Sequence, residues 1–374
     1  MLLFHVSSDE ATNIAEIVSK ISNRLRKMKP TDLINLVGMD AHMEKMQLLL
    51  DKEPKSEVRM IGILGMGGIG KTAIANYLYN QFSHEYWAHC FIEDAWNTND
   101  PTHLQRKLLS HICNDENAKL FTREAGAMKI KGILKHKKFF LVIDGVNKAE
   151  QVHALAKERS WFGPGSLIII TTRDRGLLNS CGVNNVYEVK CLDSKDALQV
   201  FEKFAFGGRN PPFHGSERLF TRASQLAHGL PYALVAFASH LSEQTTIEGW
   251  EDELFRLEDY PQKNVEEILR ASYDDLDYYE QSVFLQVACL FNGSFLWLIR
   301  AFLGKLGSRI NSLRAKSLLD ISNDGRLIMH FLVEQIGKEI VRQQSNCIPS
   351  EQKFLWKPEE IYDVLARNIV SSYK

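Results

Sequence analysis

The sequence of 374 residues has few of the features that mark membrane or secreted proteins. Its apolar runs are short: the run Tyr232–Ala238 is one of the longest, and a membrane-spanning helix needs roughly 20 apolar residues. The start, Met1–His5, turns polar at once, so we expect no secretory leader. These shortages favour an intracellular protein without a membrane partner, cytoplasmic or alternatively nuclear.

An excess of charge of one sign is also lacking, because 45 Lys and Arg residues face 46 Asp and Glu residues. A nucleic-acid binder would show a basic stripe or a pI above about 9. The basic run Lys135–Lys138 is short and is typical of a solvated turn, so nucleic acid is not an expected partner. The 6 cysteines form no CxxC pair and no zinc-finger spacing, which favours reduced thiols.

The sequence between about residues 36 and 190 predicts an alternation of strands and helices. Three continuous apolar runs, Met60–Leu64, Phe139–Ile143 and Ser166–Thr171, have the pattern of strands buried on both faces. A helix is predicted over Thr72–Phe82. The alternation favours a parallel sheet covered by helices on both faces.

The second half of the chain is predicted to be helical. Helical patterns cover Ser194–Ala205, Phe220–His228, Ala233–Leu241, Ile247–Leu257 and the long region Val265–Leu303. Two short strands, Leu318–Ile321 and Arg326–Met329, then flank the turn Ser322–Gly325. A helix followed by such a hairpin is typical of a winged-helix module.

A phosphate-binding loop follows the first predicted strand. Residues 65–72, GMGGIGKT, fit the Walker A pattern GxxxxGK[ST]. Its glycines let successive backbone N–H groups point at one anion, and the helix that begins here adds its positive end. Lys71 supplies a charge for the outer phosphates, and Thr72 offers a hydroxyl to Mg²⁺. We expect a nucleotide to contact Gly65, Gly67, Gly68, Ile69, Gly70, Lys71, Thr72 and Ala73.

An acidic residue should follow on a nearby strand, and Asp144 closes the run Phe139–Ile143. A carboxylate there would hold Mg²⁺, with an ordinary strand-end turn as the alternative interpretation. The next residue is Gly145, where many P-loop hydrolases have a second acid that orients the attacking water. Loss of a general base typically costs about 10²–10⁴ in rate.

Further motifs follow in a fixed order along the chain. They are Leu36–Gly38, the phosphate loop, Phe140–Val146, Trp161–Arg173, Tyr187–Val189, Gly229–Pro231, Phe284–Gly293, Met329–His330 and Phe354–Trp356. Together they resemble the NB-ARC module of plant nucleotide-binding leucine-rich-repeat disease resistance proteins, a class of STAND P-loop NTPases. Asn147, where coiled-coil-type relatives carry Trp, favours the TIR-type receptors.

The resemblance implies a P-loop α/β domain, a helical bundle and a winged helix, with ADP between them in a closed form. Exchange for ATP opens the module and permits oligomerisation, so the implied ligands are ADP or ATP with Mg²⁺. By this resemblance Val37 lies on the adenine side and Arg173 senses the γ-phosphate. Pro231 packs near the adenine and ribose, and His330 touches the β-phosphate of ADP.

On this basis we expect a linker helix over 1–35, a nucleotide-binding domain over 36–190 and a helical subdomain over 191–263. A winged-helix subdomain over 264–345 and a tail over 346–374 follow. The expected partners are other immune receptor chains or further copies of this chain, with an effector or a guarded protein as a further candidate. The initial helix resembles only the last helix of a TIR domain, so no NAD hydrolase is expected within this chain.

Three residues depart from the family pattern. Gly145 replaces the second acid of the kinase-2 segment. Tyr232 replaces the second leucine of the Gly-Leu-Pro-Leu segment, and Phe331 replaces the aspartate of the Met-His-Asp signature, which helps to keep the family's closed form. The favoured interpretation is a switch that senses nucleotide with slow or impaired hydrolysis. An active P-loop ATPase or small-molecule kinase, and a non-switching adaptor or decoy, stay open as alternatives.

Overall fold

The computed structural model describes residues 37–98, 100–113, 122–206, 217–244, 246–259 and 263–366. The linker helix predicted over 1–35 lies outside the described residues, as do Leu36 and the end of the tail, 367–374.

The first half is built on one sheet of five strands. They are β1 (Arg59–Leu64), β2 (Ala88–Ile92), β3 (Phe139–Val146), β4 (Leu167–Thr172) and β5 (Asn185–Glu188), in the spatial order β2-β3-β4-β1-β5. All four neighbouring pairs are parallel. The three predicted strands are confirmed as β1, β3 and β4. The sequence patterns missed β2 and β5, which are edge strands whose residues are only partly buried and form no continuous apolar run.

Among the described residues of this half, six helices cover the sheet. They are α1 (Met39–Leu50), α2 (Lys71–Phe82), α3 (Pro101–Cys113), α4 (Arg123–Leu134), α5 (Ala149–Ala156) and α6 (Arg175–Ser180). Successive strand residues point to opposite faces. Ile61 and Ile63 accordingly belong to one buried cluster with α1 and α2, while Met60 and Leu64 belong to a second cluster with α3 to α6. Both faces are therefore covered, as predicted.

The second half is helical. It contains α7 (Ser194–Phe206), α8 (Glu217–Leu226), α9 (Pro231–Leu241), α10 (Ile247–Asp259), α11 (Lys263–Asp274), α12 (Tyr278–Gln286), α13 (Leu296–Leu303), α14 (Arg309–Ala315), α15 (Phe331–Gln344) and α16 (Pro358–Ala366). The predicted long helical region is divided into α11, α12 and α13. The predicted hairpin is present as the antiparallel pair β6 (Asp320–Ile321) and β7 (Leu327–Ile328).

The helical half shares its core with one face of the sheet. The cluster that contains Ile61 and Ile63 continues through Trp250 to Val341 near the end of α15. This continuity holds α9, α11 and α15 close to the end of β1, where the phosphate loop begins. Within the described ranges, no helix is long and apolar enough to cross a membrane. The architecture confirms the predicted fold class, while the residue boundaries of its subdomains stay predictions.

Candidate nucleotide-binding site

The phosphate loop joins the end of β1 to the start of α2. Gly68 and Gly70 have φ angles of 76° and 100°, a region that side-chain-bearing residues rarely adopt. Gly70 is also the residue that caps the N-terminus of α2. Ile69, between these glycines, is buried in the core and anchors the loop. The predicted contact residues therefore form one bend around the positive end of a helix, the arrangement that binds phosphate in other proteins.

Lys71 is folded back onto this loop. Its Nζ donates hydrogen bonds to the carbonyl oxygens of Gly65 at 2.9 Å and Met66 at 2.8 Å. Burial, and to a smaller extent the nearby charge of Arg173, lower the pKa of Lys71 to about 7, although the charge of Asp144 opposes them. A phosphate group beside Lys71 would offset the cost of burying the ammonium charge, so this lysine is suited to an anionic ligand.

Thr72 and Asp144 form the predicted metal-binding pair. The Thr72 hydroxyl lies 3.0 Å from both Oδ1 and Oδ2 of Asp144. The carboxylate is buried and also accepts a hydrogen bond from the Thr171 hydroxyl at 2.6 Å, which fixes its orientation. Mg²⁺ commonly takes one or two protein ligands and completes its shell with phosphate oxygens and water. The described residues include no group of three His, Cys, Asp or Glu side chains that could hold a metal. Mg²⁺ bound together with phosphates does not require such a group.

Gly145 lies in an irregular part of β3. The register against β4 shifts between Ile143 and Val146, and Gly145 has a φ of 71°. A Cβ atom added there would lie 2.8 Å from Cδ1 of Trp96 and 3.9 Å from Cα of Asp94. The positive φ and the nearby indole therefore both favour glycine at this position, because an added Cβ would meet Trp96.

Arg173 follows β4 and contacts α11. Its Nη1 donates hydrogen bonds to the Ser272 hydroxyl at 2.6 Å and to the Ile268 carbonyl at 3.3 Å. The main chain of Arg173 is held as well, because the Ser317 hydroxyl donates to its carbonyl at 2.9 Å. Burial lowers the pKa of Arg173, and Asp275 raises it. The predicted γ-phosphate sensor thus binds a helix of the second half.

The N-terminus of α9 covers the phosphate loop. Pro231 is the first residue of α9, where the missing N–H of proline has no cost. The backbone N–H of Tyr232 donates to the Gly68 carbonyl at 3.1 Å. A Cβ added to Gly68 would lie 2.8 Å from Cβ of Tyr232. Tyr232, a departure from the family pattern, therefore sits directly on the loop.

His330 lies at the N-terminus of α15. Its Nδ1 accepts a hydrogen bond from the Leu332 N–H at 3.2 Å, and its Nε2 donates to the His228 carbonyl at 3.1 Å. Both bonds require a neutral ring with the proton on Nε2. Burial lowers the pKa of His330 to about 4, which agrees with that state. A phosphate contact from His330 would replace its bond to His228.

Val37 is partly buried against the core at the start of α1. The following Gly38 has a φ of 77°, and a Cβ added there would lie 3.3 Å from Cδ2 of Leu192. The N–H of Leu192 donates to the Gly229 carbonyl at 2.9 Å, two residues before Pro231. Gly38, next to Val37, thus lies near Leu192, which in turn bonds to the segment that leads to α9.

The structure brings the loop, the Thr72–Asp144 pair, Arg173 and the start of α9 together. His330 is bonded to His228 in the segment before α9, and Val37 packs against the shared core. Sequence reasoning missed Thr171, Ile268 and Ser272, because each looks like an ordinary member of a strand or helix. The roles of the predicted residues toward a nucleotide stay predictions.

Two parts of the chain match known domain families. Residues 39–210 match the NB-ARC domain model. Residues 277–345 match the family described as "Disease resistance protein Roq1-like, winged-helix domain". The second match covers α12 to α15 and the β6–β7 hairpin.

Two plant proteins are among the curated proteins similar to this chain. The chain is 36% identical to the disease resistance-like protein DSC2 of Arabidopsis thaliana, over 96% of this chain and 31% of that protein. It is also 36% identical to the disease resistance protein RUN1 of Vitis rotundifolia, over 93% of this chain and 26% of that protein. The chain thus spans less than a third of the length of these relatives.

Among solved structures, the chain is similar to a Signal Transduction ATPase with Numerous Domains from Pyrococcus horikoshii, which carries a tetratricopeptide repeat sensor. The identity is 18%, the TM-score is 0.33, and the match covers 88% of this chain and 48% of that chain.

Proposed function

We propose that this chain, which belongs to the NB-ARC family of plant disease resistance proteins, is a switch whose closed and open forms are selected by ADP and ATP. One observation carries the proposal: α9, from the predicted helical subdomain, and α11, at the start of the predicted winged-helix subdomain, both contact the phosphate loop. A Cβ added to Gly67 would lie 3.1 Å from the Ile268 carbonyl of α11, and one added to Gly68 would meet Tyr232 of α9. A change of ligand at the loop therefore acts directly on these helices.

The residues present fit a nucleotide with Mg²⁺. The loop amides and Lys71 would bind the phosphates, and Thr72 with Asp144 would hold the ion. The ion supplies charge neutralisation between the phosphate oxygens. In the same proposal Arg173 binds a γ-phosphate, His330 binds the β-phosphate of ADP, and Val37 and Pro231 pack on the adenosine side.

The free energy needed to shift the switch indicates how many contacts must differ between the ADP and ATP forms. A shift from about 1:99 to 99:1 requires roughly 5.5 kcal/mol of differential affinity. A hydrogen bond to a charged group contributes about 1.5–3 kcal/mol. Several contacts that differ between ADP and ATP must therefore act together, and Arg173 supplies one of them. Hydrolysis is slow in this proposal because Gly145 provides no group to orient water.

The proposed biological setting is plant immune signalling, in the cytoplasm or the nucleus. The names of the similar proteins support this setting. The proposed partners are other receptor chains or further copies of this chain, with an effector or a guarded protein as an additional partner.

The first experiment measures the nucleotide content of the purified protein. The protein is denatured, and the supernatant is separated by ion-exchange chromatography. About one ADP per chain would support a closed switch, and largely ATP would support a switch held open by lack of hydrolysis. A site that stays empty after ATP and Mg²⁺ are added would overturn the proposal and favour an adaptor.

Two further measurements separate the alternatives. Steady-state phosphate release faster than about 1 s⁻¹ would favour an active ATPase, since typical enzymes turn over at 1–10³ s⁻¹. For the adaptor, Lys71→Ala should leave binding of a partner chain unchanged. For the switch, it should abolish nucleotide-dependent binding in a protein that still folds.

A further inference from the structure

The guanidinium of Arg173 is held by one serine and one carbonyl of α11. The bond to the Ser272 hydroxyl is the shorter, at 2.6 Å, and the bond to the Ile268 carbonyl is 3.3 Å. Ser272 is buried. The bond joins residues 99 positions apart and connects the end of β4 to the second half of the chain. It is therefore a contact between two parts that a switch would move.

The partners of this guanidinium are neutral. Within the described part of the chain, no carboxylate forms a salt bridge with Arg173, and burial lowers its pKa. A phosphate can accept two parallel bonds from a guanidinium and adds the attraction of opposite charges, which a neutral hydroxyl does not provide. An anionic oxygen that reached Arg173 would therefore be a better partner than the Ser272 hydroxyl.

Arg173 is also next to the phosphate loop. A Cβ added to Gly67 would lie 3.2 Å from Cζ of Arg173 and 3.1 Å from the carbonyl of Ile268. The guanidinium, the loop and α11 thus meet at one point. The side chain that bonds to α11 is therefore also next to the loop.

We propose that Ser272 sets the preference of this site for ADP over ATP: it holds Arg173 on α11, and a γ-phosphate binds Arg173 only by displacing the Ser272 hydroxyl. ADP, which has no γ-phosphate, leaves the bond intact. ATP breaks it, and α11 loses an attachment to the sheet domain. This inference rests on the proposed function and names the contact through which that function discriminates the two nucleotides.

We expect Ser272→Ala to bind ATP about tenfold more tightly, relative to ADP, than the wild-type chain does. This change corresponds to about 1.4 kcal/mol. The affinity for ADP should change little. The measurement is a titration of the nucleotide-free 374-residue chain with Mg²⁺–ADP and with a slowly hydrolysed ATP analogue with Mg²⁺. Circular dichroism and a thermal melt establish that the variant folds.

Ser317→Ala is the matched control. It removes a hydrogen bond to the same arginine, but the bond is to the main-chain carbonyl and leaves the guanidinium in place. Its nucleotide ratio should stay within about twofold of the wild-type ratio, which corresponds to about 0.4 kcal/mol. An equal shift in both variants would mean that general loosening of the interface explains the effect, and would overturn the inference.

A double-mutant cycle with Arg173→Ala gives the sharper test. Without the guanidinium, Ser272→Ala has nothing to release, so it should leave the ratio unchanged in that background. A tenfold shift that persisted there would overturn the inference. If nucleotide binds and Ser272→Ala keeps the wild-type ratio, the inference fails and the proposed switch survives. If neither nucleotide binds the wild-type chain, the proposed function fails as well.

Discussion

The imidazole ring of His228 stacks on the phenyl ring of Phe331, with a centroid distance of 4.4 Å and an interplanar angle of 27°. This stack joins the loop before α9 to the first residue of α15. The backbone φ of His228 is 47°. Phe331 occupies the position where the family has the aspartate of its Met-His-Asp signature. An aromatic contact therefore connects the helical and winged-helix parts at this position.

We expect Phe331→Ala to weaken the closed form. Aromatic pairs contribute about 0.5–1.5 kcal/mol beyond their buried area. Loss of about 1 kcal/mol should accelerate release of a fluorescent ADP about fivefold and lower the melting temperature. The release rate is measured by stopped-flow displacement with unlabelled ADP. Phe255→Ala, at an exposed position on α10, is the control. Equal rates in the two variants would contradict a role for the stack.

Nucleotide binding should be coupled to proton uptake at Lys71. Its pKa of about 7 means that the free protein holds a largely neutral lysine at pH 8, and a bound phosphate favours the charged form. Binding at pH 8 should therefore take up close to one proton, and affinity should fall as pH rises from 7 to 9. Calorimetry at pH 8 in two buffers of different ionisation enthalpy measures the uptake. The variant Lys71→Arg stays charged and should take up no proton when nucleotide binds. Proton uptake equal to that of the wild-type chain would mean that a group other than Lys71 takes up the proton.

Mild acid should lower the free energy of unfolding, because it disrupts the hydrogen bond that joins the start of α15 to His228. The pKa of His330 is lowered from 6.5 to about 4 in the folded protein, so the unfolded chain binds the proton first. The contribution of His330 is complete above about pH 6.5 and is lost as pH falls toward 4. Urea denaturation at pH 7 and pH 5 tests this. His330→Asn keeps a good N-cap residue and does not titrate, so its loss of stability between the two pH values should be smaller. Identical losses would rule out His330 as the source.

Restoring an acid at position 145 should not restore hydrolysis. Gly145→Asp places a side chain at a φ of 71°, and its Cβ would lie 2.8 Å from Cδ1 of Trp96, so the carboxylate cannot be added without a shift of the backbone or of the indole. We expect a loss of stability of about 1–3 kcal/mol and no gain in phosphate release. Gly182→Asp is a matched control because Gly182 has a similar φ of 69° with nothing within 4 Å. It should lose less stability than Gly145→Asp. A tenfold rise in phosphate release in Gly145→Asp would refute the steric explanation.

The sequence by itself determined the features that depend on neighbouring residues. The phosphate loop is specified by glycines, a lysine and a threonine within eight positions, because each residue acts on the local backbone or on one anion. The strands β1, β3 and β4 are recognisable because strands buried on both faces are continuously apolar. The ordered motifs also identified the family, which the comparisons confirmed. The edge strands β2 and β5 have weaker patterns because only part of each is covered.

Only the tertiary structure decided how distant segments meet at the loop. The bond from Arg173 to Ser272, the position of Tyr232 on Gly68 and the stack of Phe331 on His228 join residues far apart in the chain. The limited space at Gly145 likewise comes from Trp96, which lies in the connection that follows β2. Such pairings depend on the packing of whole helices against a shared core, and no local pattern in the sequence encodes them.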